Sequence, residues 1–191
     1  MAQIDHYSQC NETARNASFD KFTRRWPGHY LLVIIPGGDS DDWDMEFQTS
    51  VLSIDKLRAG MRDAEYSDDD EDDETAPPGK YLYEVKKHVD NSWLDWIAIG
   101  RARNNDLVLR HQSVSKLQAR IHSIKEDVAD GNNNSTYWLT DMKSTAGITV
   151  NSLPIPPSKP HQLNPGNRIK LGQVDCVFFD SAGLYNHLRA L

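Results

Sequence analysis

Apolar residues in this chain come in short bursts broken by turn residues, and most bursts are too short for helices. Residues 29–35 (HYLLVII) are apolar almost throughout and predict a strand that stops at Pro36-Gly37-Gly38. Residues 46–54 alternate, with Phe47, Val51, Leu52 and Ile54 apolar, and predict a second strand in a long-looped hairpin. From Lys80 onward strands are expected at 81–85, 96–101, 107–109, 119–124, 136–141, 148–150, 153–155, 168–171 and 174–179. Gly131-Asn132-Asn133-Asn134 is a strong turn signal. Many short strands with regular turns argue an all-β, two-sheet sandwich.

Helical spacing is confined to the two ends. Phe19, Phe22 and Trp26 predict a short helix over 17–26, capped by Ser18 or Asn16 and stopped by Pro27-Gly28. Leu184, Leu188 and Leu191 share one face of a closing helix behind a Ser181 cap. Residues 1–16 are polar and are expected to be poorly ordered.

Charge divides the chain. The net charge is -7, yet residues 63–74 alone hold nine Asp and Glu. Residues 80–191 hold 14 Lys and Arg against 10 Asp and Glu, so that part is mildly basic. An acidic run ending in Thr75-Ala76-Pro77-Pro78-Gly79 reads as a linker. The expected organisation is an N-terminal extension over 1–62, docked on the sandwich because so short a piece buries little core alone. An acidic linker over 63–79 and the sandwich over 80–191 follow. No apolar run is long enough to span a membrane. The N-terminus has no secretory pattern, and Cys176 in an apolar strand reads as a buried thiol, which fits a cytoplasmic protein.

The stretch 99–120 (IGRARNNDLVLRHQSVSKLQAR) carries the candidate chemistry. It places Arg101 and Ser115 on two loops between three strands. Brought together at one end of a sheet, a guanidinium and a hydroxyl make an oxyanion or phosphate receptor. The plainer alternative is an exposed arginine and a turn serine.

Several ordered blocks resemble the forkhead-associated (FHA) domain. They are Gly100-Arg101, Asn105-Asp106-Leu107-Val108-Leu109, Val114-Ser115-Lys116-Leu117-Gln118-Ala119, the segment from Leu139 to Asn151, and Leu163-Asn164-Pro165-Gly166-Asn167-Arg168-Ile169-Lys170-Leu171-Gly172. The family pattern has Arg at Lys116, His at Gln118, Asn at Ala146 and Thr at Ile148. The resemblance covers roughly residues 80–180. It implies an eleven-stranded sandwich that binds phosphothreonine peptides with loops at one end, without catalysis and without a cofactor or metal. Carried onto this chain, Arg101 and Ser115 would contact phosphate and Thr145 would help hold it. Lys116 would add charge at the rim, and Arg103 would select acidic peptide residues. Ala146 falls where the family's Asn holds the peptide backbone. Gly100, Asn105, Asp106, Gly147 and Asn151 would shape the loops, and Gln118 would tie the serine loop to the scaffold.

The expectation is therefore a signalling adaptor that reads phosphothreonine downstream of a Ser/Thr kinase. The alternative is a degenerate FHA fold serving as a phospho-independent interaction scaffold. An enzyme built on Asp106, Asp141 and His122 is disfavoured, since no nucleophile elbow, P-loop or metal spacing appears. Nucleic acid has only weak support from the small positive charge. The acidic run over 63–74, or a phosphorylated Thr75, is a candidate partner for the chain's own cationic loops.

Overall fold

His29–Ile35 (β2) is apolar on both faces because both faces are covered. Tyr30 and Leu32 point to one core, and Leu31, Val33 and Ile35 to another. The computed structural model describes residues 4–5, 7–37, 75–87, 95–126 and 134–191. The strand expected at 46–54 and the acidic run at 63–74 lie outside these residues.

β2 sits inside a seven-stranded sheet. The other members are β1 (Ile4–Asp5), β3 (Gly79–Glu84), β8 (Ile148–Val150), β9 (Leu153–Pro154), β11 (Arg168–Leu171) and β12 (Val174–Asp180), in the order β1-β3-β2-β12-β11-β8-β9. A five-stranded sheet faces it. Its members are β4 (Ile97–Gly100), β5 (Leu107–Val108), β6 (Ala119–Glu126), β7 (Asn134–Asp141) and β10 (Pro160–Leu163), in the order β10-β7-β6-β4-β5. Every pair is antiparallel except β4 with β5. The space between the sheets is filled by residues such as Leu31, Ile99, Leu107, Ile121, Leu139 and Phe178. The fold is an all-β sandwich of the FHA type. β10 was not expected, because three of its four residues are exposed and carry no alternation.

A second core lies on the outer face of the seven-stranded sheet. Three helices cover it: α1 (Tyr7–Asn16), α2 (Phe19–Arg25) and α3 (Ser181–Arg189). Contrary to the expectation of disorder before residue 17, α1 is formed, and Cys10 and Ala14, one helical turn apart, are fully buried against this core. The small side chains let α1 approach closely although the helix is polar overall. Phe22 of α2 and Trp26, the residue that caps its C-terminus, are buried, while Phe19 is left 45% exposed with its ring edge-on to Tyr185. Ser18 occupies the N-cap of α2 but makes no side-chain cap bond. At α3 the cap is Asp180 rather than Ser181: its carboxylate accepts from Gly183 N–H at 2.7 Å. The helix stops at Arg189, so Leu191 is exposed while Leu184 and Leu188 are buried.

The pairings fix which loops share an end. Gly100 closes β4, Ala119 opens β6 opposite Asp141 at the end of β7, and Leu171 pairs with both Ile148 and Val174. Loops 101–106, 110–118, 142–147 and 172–173 therefore emerge together. Gly37 and Thr75 are at the same end, since Ile35 pairs with Gly79 and Ala76 N–H donates to Arg110 O.

Candidate functional site

The loop after β4 turns against the loop that carries Ser115. Arg101 N–H donates to Ser115 O at 3.0 Å, and Ala102 N–H to Lys116 O at 3.1 Å. This contact requires glycine at position 100. A Cβ there would overlap Lys116 O and stand 2.9 Å from both Asn105 Nδ2 and Leu117 Cα. Asn105, 6% exposed, uses its amide to bridge Ala102 O and Lys116 O, each at 2.7 Å. Asp106, also buried, accepts from Ala98 N–H at 2.7 Å and from Lys87 Nζ at 2.8 Å. The Arg101 guanidinium is held from below, its Nε donating to Val114 O at 3.3 Å.

Gln118 then joins the serine loop to the loop after β7. It is fully buried. Its Oε1 accepts from Ser115 N–H at 2.8 Å, and its Nε2 donates to Gly147 O at 3.1 Å. The neutral amide, a donor and an acceptor on one planar group, suits these two opposite demands. Ser115 Oγ accepts from Thr145 N–H at 3.1 Å. Asp141 Oδ1 caps the turn between them by accepting from Ser144 N–H at 2.8 Å. Arg101, Ser115 and Thr145 are thus brought together at one end of the sandwich, with Lys116 and Ala146 exposed beside them. Gly147 has φ +72 and forms the exit of the third loop.

Asn151 stands elsewhere. It sits at the β8–β9 turn, at the opposite end of β8, where its Oδ1 accepts from Arg168 N–H at 2.9 Å. His122 is exposed on β6. Among the described residues no group of three or more His, Cys, Asp or Glu is placed to hold a metal. No helix among them is long and apolar enough to cross a membrane.

One part of the scaffold was not legible beforehand. His111 Nδ1 accepts from Ser113 N–H at 3.2 Å and lies 2.8 Å from Ser113 Oγ, which in turn accepts from Gln173 N–H at 2.8 Å. Nδ1 is therefore the unprotonated ring nitrogen. Burial holds the imidazole pKa below 6.5 and favours that neutral form. A Cβ on Gly172 would overlap Ser113 O, so the β11–β12 turn presses against the serine loop. Only the His-x-Ser spacing before Val114 hinted at this, because Gln173 is sixty residues from Ser113.

The FHA domain family matches residues 97–172, the span from β4 through the turn after β11. Residues 97–172 are an FHA domain. The chain is 34% identical over 65 residues to the FraH protein of Nostoc sp., covering 34% of this chain and about a fifth (21%) of FraH. Among solved structures it is similar to the yeast Dun1 FHA domain bound to a doubly phosphorylated peptide derived from Rad53. There the identity is 18%, the TM-score 0.49, and the match covers 82% of this chain and 77% of that one. It is also similar to EmbR of Mycobacterium tuberculosis in complex with a low-affinity phosphopeptide. That match is 30% identical with a TM-score of 0.36, over 46% of this chain and 20% of that chain.

Proposed function

We propose that this FHA domain binds phosphothreonine in partner proteins and acts as an adaptor downstream of a Ser/Thr kinase in the cytoplasm. The observation that carries this is the contact of Ser115 Oγ with Thr145 N–H beside Arg101, on loops that Gln118 locks together. A phosphate seated there meets a guanidinium fork from Arg101, hydroxyls from Ser115 and Thr145, and the point charge of Lys116. The family's motif order supports the same assignment.

One observation favours a phospho-independent scaffold instead: the exposed Ala146 offers no side-chain bond to a peptide backbone. Fluorescence anisotropy against phosphothreonine peptides and their unphosphorylated forms, with Arg101→Ala as control, separates the two. Phosphate-dependent binding lost in Arg101→Ala supports phosphothreonine recognition. Equal binding of both peptide forms supports the scaffold.

The chain also carries a rival for such a site. The nine carboxylates of 63–74 precede Thr75, whose neighbour Ala76 is bonded to Arg110 O. A tethered anion acts at millimolar effective concentration. Deleting 63–74 is expected to tighten phosphopeptide binding at low salt; unchanged affinity would make the run a spacer. A phosphate on Thr75 would strengthen this internal competition.

A further inference from the structure

Ser113 ties the two sheets together at the end where the candidate site opens. It lies on the loop between β5 and β6 of the five-stranded sheet. Its Oγ accepts from Gln173 N–H, in the β11–β12 turn of the seven-stranded sheet, at 2.8 Å. Its hydroxyl proton goes to Nδ1 of His111, which is 6% exposed and 2.8 Å away. The hydroxyl is thus engaged within the protein both as donor and as acceptor.

The turn that makes this contact is shaped for it. Leu171 pairs with Val174, so Gly172 and Gln173 form a two-residue hairpin loop. Gly172 comes first, with φ +64, as such a loop prefers. A Cβ there would stand 2.6 Å from Ser113 Oγ and would also overlap Ser113 O. Glycine therefore meets two demands, a left-handed backbone and a close approach of two loops.

The clamp fixes a carbonyl beneath Arg101. Val114 N–H donates to His111 O at 2.9 Å, so residues 111–114 form one hydrogen-bonded turn with Ser113 inside it. The Val114 side chain is buried in the core, and its carbonyl accepts from Arg101 Nε at 3.3 Å. A bond at Nε sets the plane of the whole guanidinium, because the group is rigid. At 3.3 Å that bond is long, so a small displacement of Val114 O is enough to lose it. Gln118 tethers the Ser115 side of this loop, and Ser113 tethers the Arg101 side.

We infer that His111, Ser113 and the Gly172-Gln173 turn position the phosphate site: they touch no ligand and act through Val114 O on the orientation of Arg101. This rests on the phosphothreonine reading above and deepens it. The grip on phosphate then depends on a turn sixty residues away, whose own backbone N–H holds the serine loop in register.

The test is calorimetric titration of the full chain with a phosphothreonine peptide and its unphosphorylated form, for wild type, Ser113→Ala, Ser113→Thr, His111→Ala and His111→Asn. The Arg101 Nε–H signal is followed by NMR without peptide. Ser113→Ala and His111→Ala are expected to bind the phosphopeptide about three- to tenfold more weakly. Their Arg101 signal should shift and exchange faster with water. Ser113→Thr keeps the hydroxyl and His111→Asn keeps an acceptor, so both should recover most of the affinity and the wild-type signal. A glycine pair provides a second comparison. Gly166 has φ +91 with nothing within 4 Å of an added Cβ, so Gly166→Ala meets a backbone penalty but no neighbour. Gly172→Ala should weaken binding and Gly166→Ala should not. Unchanged affinity in Ser113→Ala, an unmoved Arg101 signal, no recovery in the Thr and Asn variants, or equal binding losses in the two glycine variants overturns this inference alone. Wild-type protein that binds neither peptide, or both equally, overturns the phosphothreonine reading and this one with it.

Discussion

The Ser115 hydroxyl accepts a hydrogen bond from the Thr145 backbone N–H at 3.1 Å, across thirty residues of sequence. The bond leaves the hydroxyl proton free to be donated outward, since Oγ is the acceptor. Ser115 thus bridges the third loop and any anion in front of it. Ser115→Ala removes both interactions without changing the core. Phosphopeptide affinity is expected to fall by about 1–3 kcal/mol, roughly five- to a hundredfold, with the melting temperature little altered. Calorimetric titration checks the affinity, and undiminished binding would take Ser115 out of the site.

Gln118 holds the same two loops from beneath. Gln118→Leu preserves volume but strips Ser115 N–H and Gly147 O of their partner in a fully buried place. About 2 kcal/mol of stability should be lost, and phosphopeptide binding should weaken although Gln118 touches no ligand. Chemical denaturation measures the first effect. Gln118→His is expected to recover much of both, because an imidazole also offers one donor and one acceptor. Failure of His to do better than Leu would mean that shape, not hydrogen bonding, matters there.

Gly100 and Gly147 differ in why they are glycines, and their alanine variants should differ too. At Gly100 a Cβ meets Lys116 O, a backbone atom already held by Ala102 N–H and Asn105 Nδ2, so the loops must part. Gly100→Ala should cost about 2–3 kcal/mol and depress binding. At Gly147 space is open and only φ +72 opposes a side chain, so Gly147→Ala should cost about 1 kcal/mol. Equal destabilisation of the two would contradict the close approach at Gly100.

Most strands were legible because each buries alternate or continuous apolar residues locally, as Leu107 and Ile121 show. The loop motifs were legible because Gly100, Asn105 and Gln118 each perform a task that few other residues can. What stayed hidden depends on distant partners. The second core needed Phe179, Leu184 and Leu188 from the C-terminus before Cys10 and Ala14 had anything to pack against. Pro160–Leu163 is a strand only because β7 supplies its hydrogen bonds. The conformation of Lys143 left no trace in composition, since nothing about lysine predicts a positive φ.

Burial lowers the pKa of His29, His111 and His187 below 6.5, in each case as the largest cause. The unfolded chain therefore binds more protons than the native one once pH drops below about 6.5. Stability should be full above that value and decline as pH falls through the lowered native pKa values. Scanning fluorimetry between about pH 7.5 and about pH 5 is expected to show a falling melting temperature. Protonation of His111 removes the acceptor that holds Ser113, so His111→Asn, whose amide keeps an acceptor without titrating, should flatten part of the slope. A melting temperature that does not change with pH over this range would show that the three rings are accessible to protons in the native state.

Ala146 is the position where a gain is expected. It is exposed, adjacent to Thr145, and falls where the FHA pattern has Asn. Its backbone is free of the clash and positive φ seen at Gly100 and Gly147, so a larger polar side chain is sterically admissible. Ala146→Asn supplies a donor and an acceptor to a peptide backbone lying beside the phosphothreonine. Hydrogen bonds of that kind contribute about 1–3 kcal/mol when their groups are desolvated. Affinity for a neutral-flank phosphothreonine peptide should rise roughly five- to a hundredfold. The gain should be largely salt-independent, because the added group is neutral. Competition binding at low and high salt checks this. If Ala146→Asn leaves affinity where it was while Arg101→Ala abolishes it, the peptide runs over these loops along a different path from the one the family pattern implies.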